Sequence, residues 1–260
     1  MSHRPFTGER LHQTDELFAV DLARHRAAYR WALGRCPPAL TLDVGAGSGH
    51  GVALLAAGGV SAIGLDRELP DRTSRVPKAS FVRADVGALP LRAHSAGRIV
   101  CFQVLEHLER PDDFVGGLAA ALHPEGELLL TTPNRLISDG LNPYHVREYV
   151  GGELEDLLAV SFRDVRVLGV GASERVQPYY DQRLATLERI RRLDLLRLHR
   201  RLPRRLRLWL FARAAVGMRL LLRRGGAAVL DADEGDFPIG PLDQSSLDLL
   251  AICRAPRACH

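Results

Sequence analysis

Between Thr41 and Gly51 the chain reads Thr-Leu-Asp-Val-Gly-Ala-Gly-Ser-Gly-His-Gly, a set of residues suited to capturing a charged small molecule. Glycines recur at 45, 47, 49 and 51, so the backbone can turn sharply and bring its amide N–H groups close to a ligand with no Cβ in the way. Asp43 stands two residues before the first of them, at the mouth of the loop. A carboxylate there repels a pyrophosphate but suits a ligand carrying an ammonium group and a sulfonium. His50 occupies the position where a dinucleotide fingerprint places its third glycine, which weakens the dinucleotide reading further.

Such a loop needs rigid elements on both sides. The apolar run Ala39, Leu40, Leu42 and Val44 precedes it, and the helix-like Val52–Ala57 follows. Strand, tight loop and helix open a nucleotide-binding βαβ unit, and the helix N-terminus adds partial positive charge. Ser61–Asp66 reads as the second strand. Asp66 lies 21 positions after Gly45 (66 minus 45), where a βαβ unit places a carboxylate for the ribose hydroxyls. The third strand, Ser80–Ala84, ends at Asp85, which can accept from an adenine amino group or cap a loop, while the backbone of Val86 reads the ring edge. The fourth, Arg98–Phe102, runs into Gln103-Val104-Leu105-Glu106-His107-Leu108. Pro111 and the acids Asp112 and Asp113 start a helix with an apolar stripe of Val115, Leu118, Ala119 and Leu122. After a turn at Pro124-Glu125-Gly126, Glu127–Thr132 reads as strand five. A loop through Asn142-Pro143-Tyr144-His145 then leads to a helix over about 147–160. Phe162–Val170 alternates as strand six, and Leu247–Cys253 supplies a seventh.

Composition bounds the rest. The 260 residues fit one α/β domain with additions, and 46% hydrophobic residues supply a large core. No segment is long and charge-free enough to span a bilayer, and Met1-Ser2-His3-Arg4 lacks an apolar signal region. Cys36, Cys101, Cys253 and Cys259 form no C-x-x-C pair; they read as free thiols in a reducing cytoplasm with no metal site. Lys78 is the only lysine among 35 basic residues, and the arginines concentrate late in the chain.

The assembled stretches LDVGAGSGHG, GLD, RADVGALPL, CFQVLEHLERPDDF and LHPEGELLLTTPNR resemble the class I S-adenosylmethionine-dependent methyltransferases. The likeness is greatest to the branch with ubiquinone-pathway and natural-product or glycan O-methyltransferases. It runs from about residue 40 to 170 and resumes near 246. It implies an α/β, Rossmann-like fold with a seven-stranded, mostly parallel sheet whose last strand is antiparallel, and S-adenosyl-L-methionine as cofactor. Carried over by position, Asp43, Gly45, Ala46, Gly47 and Gly49 would hold the methionine end. Asp66, with Arg67 beside it, would take the ribose, Asp85 and Val86 the adenine, and Gln103 would sit by the transferred methyl. The Asn142–His145 segment falls on the acceptor side.

Methyl transfer from a sulfonium is an in-line displacement, so the protein mainly positions the nucleophile about 3 Å from the methyl and excludes water. A hydroxyl acceptor also needs a base near neutrality, which suits histidine. His145 is the first candidate and His107 the second; each also reads as a structural histidine that holds a loop. His12, His25 and His50 rank below them. No clustered ligand spacing points to a metal, although Asp112 and Asp113 keep the question open. The expected reaction is O-methylation of a small molecule or glycan in the cytoplasm. A nucleic-acid methyltransferase is the alternative, but Gln103-Val104-Leu105-Glu106 stands where base-amino enzymes of this fold carry Asn/Asp-Pro-Pro-Tyr/Phe. A non-catalytic cofactor-binding protein is the other.

Four segments follow: an N-terminal helical cap (1–38), the cofactor-binding core (39–170), an arginine-rich helical insertion (171–240) and the final strand with its tail (241–260). The cap helix is expected from Asp15, capped by Thr14, to Trp31 or Leu33. Its Arg24-His25-Arg26 and Tyr29 either line the cleft as a lid or form a solvated basic face with Tyr29 packed inward. From Arg183 to Arg224 only Glu188 and Asp194 are acidic, and two helices break at Pro203. The second, about 204–223, sets Leu210, Phe211, Ala214, Ala215, Met218, Leu221 and Leu222 opposite Arg205, Arg213, Arg219, Arg223 and Arg224. It reads as a lid or homodimer face, as a peripheral contact with an anionic membrane, or as a surface for an anionic acceptor such as RNA with Trp209 and Phe211 available to stack. The acidic loop 231–236 would pair with those arginines or gate the cleft.

Overall fold

The apolar run ahead of the glycine loop forms β1 (Leu40–Val44), and the loop delivers the chain into α2 (His50–Ala57). The computed structural model describes residues 18–35, 40–70, 77–138, 140, 142–193, 213, 217 and 231–257. Before β1 comes α1 (Ala19–Leu33); after α2 come β2 (Ser61–Asp66) and β3 (Ala79–Arg83). Next are β4 (Ala96–Phe102), α3 (Pro111–Ala121), β5 (Leu122–Pro133), α4 (Gly151–Ala159) and β6 (Phe162–Val170). The last elements are α5 (Gln177–Leu193), β7 (Ile239–Pro241) and β8 (Asp248–Pro256).

One sheet collects the strands in the order β3-β2-β1-β4-β5-β8-β6-β7. The pairs β1–β2, β2–β3, β1–β4 and β4–β5 are parallel. The pairs β5–β8, β6–β8 and β6–β7 are antiparallel. Succession reverses between β1 and β4, because β2 and β3 spread to one side and β5 to the other. At such a switch point the chain crosses to opposite faces and leaves a crevice beyond the carboxyl ends of the strands. Asp43, Asp66, Asp85 and Gln103 all lie at or just past the ends of β1 to β4.

Both faces of the sheet are covered, so its strands are apolar on both sides. Ile99, Cys101, Leu128 and Leu130 join Phe114, Leu118, Leu154 and Leu158 of α3 and α4 in one core layer. The alternate residues Val100, Phe102 and Leu129 join Ala28, Tyr29 and Leu55 of α1 and α2 in the other. Cys101 and Cys253 are buried free thiols. Arg98, 2% exposed, donates from Nη2 to Glu127 at 2.7 Å and from Nη1 to the Ala32 carbonyl at 3.0 Å, tying the end of α1 to the sheet.

The structure amends several expectations. The sheet has eight strands rather than seven: β7, a short edge strand, was not legible as one. The last long strand, β8, is antiparallel as expected and lies between β5 and β6, where its uninterrupted apolar run is buried on both faces. The helix expected from residue 147 starts at Gly151, since Val146 and Arg147 donate their N–H groups to Glu106 and Tyr149 bridges to Asn134. The acidic loop finds Arg175, Arg26 and Arg30 as partners: Asp231 and Asp236 lie 3.3 and 3.2 Å from Arg175, and Glu234 lies 3.8 and 4.0 Å from Arg26 and Arg30. Thr14, Cys36, Cys259 and nearly all of the second insertion helix, with Trp209 and Phe211, fall outside the described residues. Among the described residues no helix is long and apolar enough to cross a membrane.

Candidate active site

The glycine loop is strained into shape and fastened on two sides. Gly45, Gly47 and Gly49 hold φ values of 85°, 54° and 82°, a region that L side chains rarely adopt. A Cβ on Gly45 would also fall 2.3 Å from Cγ2 of Val104, so the loop lies directly against the segment after β4. The N–H groups of Gly45 and Ala46 donate to the Leu65 carbonyl at 2.8 and 3.1 Å, and Gly47 N donates to Asp66 Oδ2 at 2.9 Å. Asp66 accepts from Glu68 N through its other oxygen at 2.9 Å. The residue expected to read ribose therefore also sets the loop. Asp85 caps a short 3-10 turn, Val86–Ala88, by accepting from Gly87 N at 3.0 Å. Val86, Gly87, Leu89, Asp113 and Phe114 line a cleft of about 250 Å³ between that turn and α3. Arg67 is exposed beside Asp66.

Asp43 lies beneath the loop rather than in its open mouth. It is 1% exposed, and the Tyr29 hydroxyl lies 3.1 and 3.0 Å from its two oxygens. Burial pushes its carboxyl up to about 7; the Tyr29 hydrogen bond pulls back, and the charge of Asp66 pushes further. Tyr29 is held there because a Cβ on Gly51 would overlap its ring at 2.0 Å: the glycine lets α1 close onto α2. Next to it, His25 Nδ1 lies 2.8 Å from His50 Nε2, and Ser48 Oγ lies 3.1 Å from His50 Nδ1. Burial lowers both imidazoles, His25 to about 4 and His50 well below its usual value. This part of α1 is a packed wall, while Arg26 and Arg30 form its exposed basic edge.

The 142–149 loop is docked by one carbonyl. Glu106 O accepts from Val146 N at 2.7 Å and from Arg147 N at 3.2 Å, docking the 142–149 loop onto the 3-10 turn Leu105–His107. That contact closes the sequence gap between the two candidate histidines, whose ring centroids come to 5.0 Å. His145 Nδ1 lies 2.6 Å from Glu148 Oε1, and its Nε2 lies 2.8 Å from Asn142 Nδ2. His107 Nδ1 lies 3.1 Å from the Tyr144 carbonyl. Burial, then His145 and Arg67, lowers the His107 ring to about 4.

Under the two rings sits Glu106, 1% exposed. Its Oε2 accepts from Thr132 Oγ1 at 3.0 Å, whereas its buried Oε1 has no hydrogen-bond partner. Burial raises this carboxyl to about 7 against the opposing pull of His145. Glu106, His107 and His145 each bring one ligand-type atom within 4.8 Å of the others. The expectation of no clustered metal ligands thus meets a cluster that tertiary contact assembles. Asp113, one of the acids that kept the metal question open, pairs instead with Arg110.

Gln103, the residue after β4, has φ at 57°, a strained value for a side chain with a Cβ. Its N–H donates to the Thr131 carbonyl at 2.9 Å, and its Nε2 to Thr131 Oγ1 at 3.4 Å. Asp43, Asp66, Asp85 and Gln103 thus stand at or just past the carboxyl ends of β1 to β4. Sequence reading did not single out Glu106, Glu148 or Asn142. A carboxylate inside the otherwise apolar Val104-Leu105-Glu106 was the available signal for the first; the other two carried none.

Comparison with known proteins agrees with this geometry. The family profile described as a methyltransferase domain matches residues 42–130. A Mycolicibacterium smegmatis protein named "Probable S-adenosylmethionine-dependent methyltransferase" is 35% identical over 179 residues, 64% of this chain and 68% of its own length. A Mycobacterium tuberculosis protein of the same description is 33% identical over 180 residues, 66% of each chain. The match thus spans about two thirds of the length of these curated relatives. Among solved structures, a SAM-dependent methyltransferase from Thermotoga maritima aligns over 92% of both chains with a TM-score of 0.57 at 12% identity, a likeness of fold.

Proposed function

The chain belongs to the S-adenosylmethionine-dependent methyltransferases, and on that premise we propose that it methylates a hydroxyl group of a small-molecule natural product or a glycan. The cradle fits the family's cofactor. Gly45 lies where a Cβ would strike Val104, the loop is fastened to β2 through the Leu65 carbonyl and Asp66, and Asp43 is buried beneath it. Asp43, Gly45, Ala46, Gly47 and Gly49 would face the methionine end, Asp66 with Arg67 the ribose, Asp85 with Val86 the adenine, and Gln103 the methyl. When bound, S-adenosylmethionine supplies an electrophilic methyl that an oxygen nucleophile takes while the C–S electron pair stays with sulfur.

The observation that carries the oxygen reading is the His145–Glu148 contact of 2.6 Å beside His107, four residues past Gln103. A carboxylate that accepts from Nδ1 fixes the imidazole tautomer and leaves Nε2 as the basic atom. A hydroxyl must lose its proton to become a good nucleophile, whereas a neutral amine needs no base to attack. This cluster is where the hydroxyl loses it. The test is calorimetric titration with S-adenosylmethionine, then turnover of methyl-labelled cofactor over panels of hydroxyl and amine acceptors. Labelled ethers are expected; labelled amines alone would overturn the oxygen reading.

A further inference from the structure

We propose that Glu106, His107 and His145 bind a divalent transition-metal ion that holds and activates the acceptor hydroxyl. The proposal rests on the methyltransferase reading and names how its acceptor side works.

Three observations support it independently of sequence likeness. Glu106 Oε1 is buried, aimed into the cluster and without a hydrogen-bond partner. A buried carboxylate oxygen in that state costs several kcal/mol unless a cation offsets it. His107 Nε2 lies 3.9 Å from that oxygen, and one ligand-type atom of each of the three residues lies within 4.8 Å of the others. Ligands on a zinc-like ion at about 2.1 Å sit roughly 3.4 Å apart, so a small rotation of the partly exposed rings closes the site.

The outer partners are those that metal-binding residues use. His107 Nδ1 faces the Tyr144 carbonyl, His145 Nδ1 faces Glu148, and Glu106 Oε2 takes Thr132 Oγ1. A ring N–H given to a carbonyl or carboxylate fixes the tautomer and turns the other nitrogen's lone pair to the ion. At His145 the ion takes the place of the Asn142 amide now at Nε2.

Two imidazoles and one carboxylate select zinc, manganese, iron or cobalt over magnesium and calcium, which prefer all-oxygen shells. Three protein ligands leave coordination positions open, as in catalytic rather than structural sites. The side chains of His107 and His145 are 33% and 15% exposed, so the open positions face the crevice, not the core. With the ion in place His145 Nε2 is a ligand and not the base: the ion would lower the pKa of the bound acceptor hydroxyl, whose proton would pass to solvent water, leaving the oxygen lone pair for the methyl. An acceptor with a second oxygen on the adjacent carbon binds through both.

The deciding experiment uses untagged, chelator-stripped full-length protein. It is titrated with zinc chloride by calorimetry and with cobalt chloride followed by visible absorption, with S-adenosylhomocysteine binding measured in parallel. One zinc per chain is expected, with affinity reduced by about 100-fold in His107→Ala, His145→Ala and Glu106→Gln, and unchanged in His123→Ala at the surface. Retained S-adenosylhomocysteine binding certifies that a variant is folded; if Glu106→Gln fails that check, the two histidine variants decide. Wild type that binds S-adenosylhomocysteine but no zinc, or zinc affinity indifferent to both histidines, overturns the ion site and leaves the methyltransferase reading standing. Zinc bound with no S-adenosylhomocysteine upholds the ion site and overturns the reading beneath it.

Discussion

The hydroxyl of Tyr29 sits 3.1 and 3.0 Å from the two carboxylate oxygens of Asp43, so one α1 side chain seals the acid under the glycine loop. Tyr29→Phe removes that donor and leaves Asp43 buried without it. A stability loss of about 1.5–3 kcal/mol is expected, the scale for a hydrogen bond to a charged group. Denaturant unfolding measures it, and an unchanged midpoint would show that the contact contributes nothing.

Gly45→Ala meets two obstacles, a φ of 85° and the side chain of Val104 at 2.3 Å. Val104→Ala removes the second obstacle and leaves the first. In a double-mutant cycle read by cofactor affinity, the pair should therefore lose less than the sum of the singles, by about 0.5–3 kcal/mol. Strict additivity would mean that the loop does not lean on Val104.

The pH dependence of stability has opposing parts. Folded Asp43 and Glu106 keep their protons up to about pH 7, while unfolded they release them near 3.8 and 4.5. The folded state thus binds more protons in that range, and these groups make stability fall as pH rises through 7. His25, His50 and His107 are depressed below their ordinary 6.5, so the unfolded chain takes protons first and stability falls as pH drops below 6.5. Asp248, also raised by burial, acts with the two carboxyls; below 6.5 the histidines oppose these acids, and above it the histidines no longer contribute. Melting temperatures in chelator-containing buffers should peak near about pH 6.5. A steady climb through pH 8 would contradict the raised carboxyls.

Glu148→Gln disturbs the tautomer and orientation of His145 without removing the ring. Turnover is expected to fall by about 10–100-fold with cofactor affinity unchanged, and His145→Ala to fall further. Full activity in both variants would take His145 out of the acceptor site.

Asp66→Ala removes both the expected ribose acceptor and the hydrogen bond that seats Gly47. Cofactor affinity should weaken by about 1–3 kcal/mol in calorimetry. Identical affinity would end the ribose assignment.

Much of the cofactor side was legible because local rules govern it. Alternating glycines after an apolar run require a tight loop, and Asp66 and Asp85 fall at strand ends by spacing alone. Strand β7 escaped because three residues, Ile239–Pro241, carry no period to read. Tyr29 was readable as an inward-facing residue, but its partner Asp43 lies in another element.

The linear chain by itself determined the βαβ order, the glycine loop and the acids at the ends of the strands, since hydrophobic period, backbone permissiveness and short spacings are properties of neighbours in sequence. Only the tertiary structure decided that Glu106, His107, His145 and Glu148 form one cluster. Their meeting depends on the Glu106 carbonyl capturing the N–H groups of Val146 and Arg147, a hydrogen bond between distant segments that no local pattern announces. Burial then decided their chemistry, because the same carboxylate that is ordinary in water becomes, once enclosed with an unpartnered oxygen, a group that holds its proton up to about pH 7.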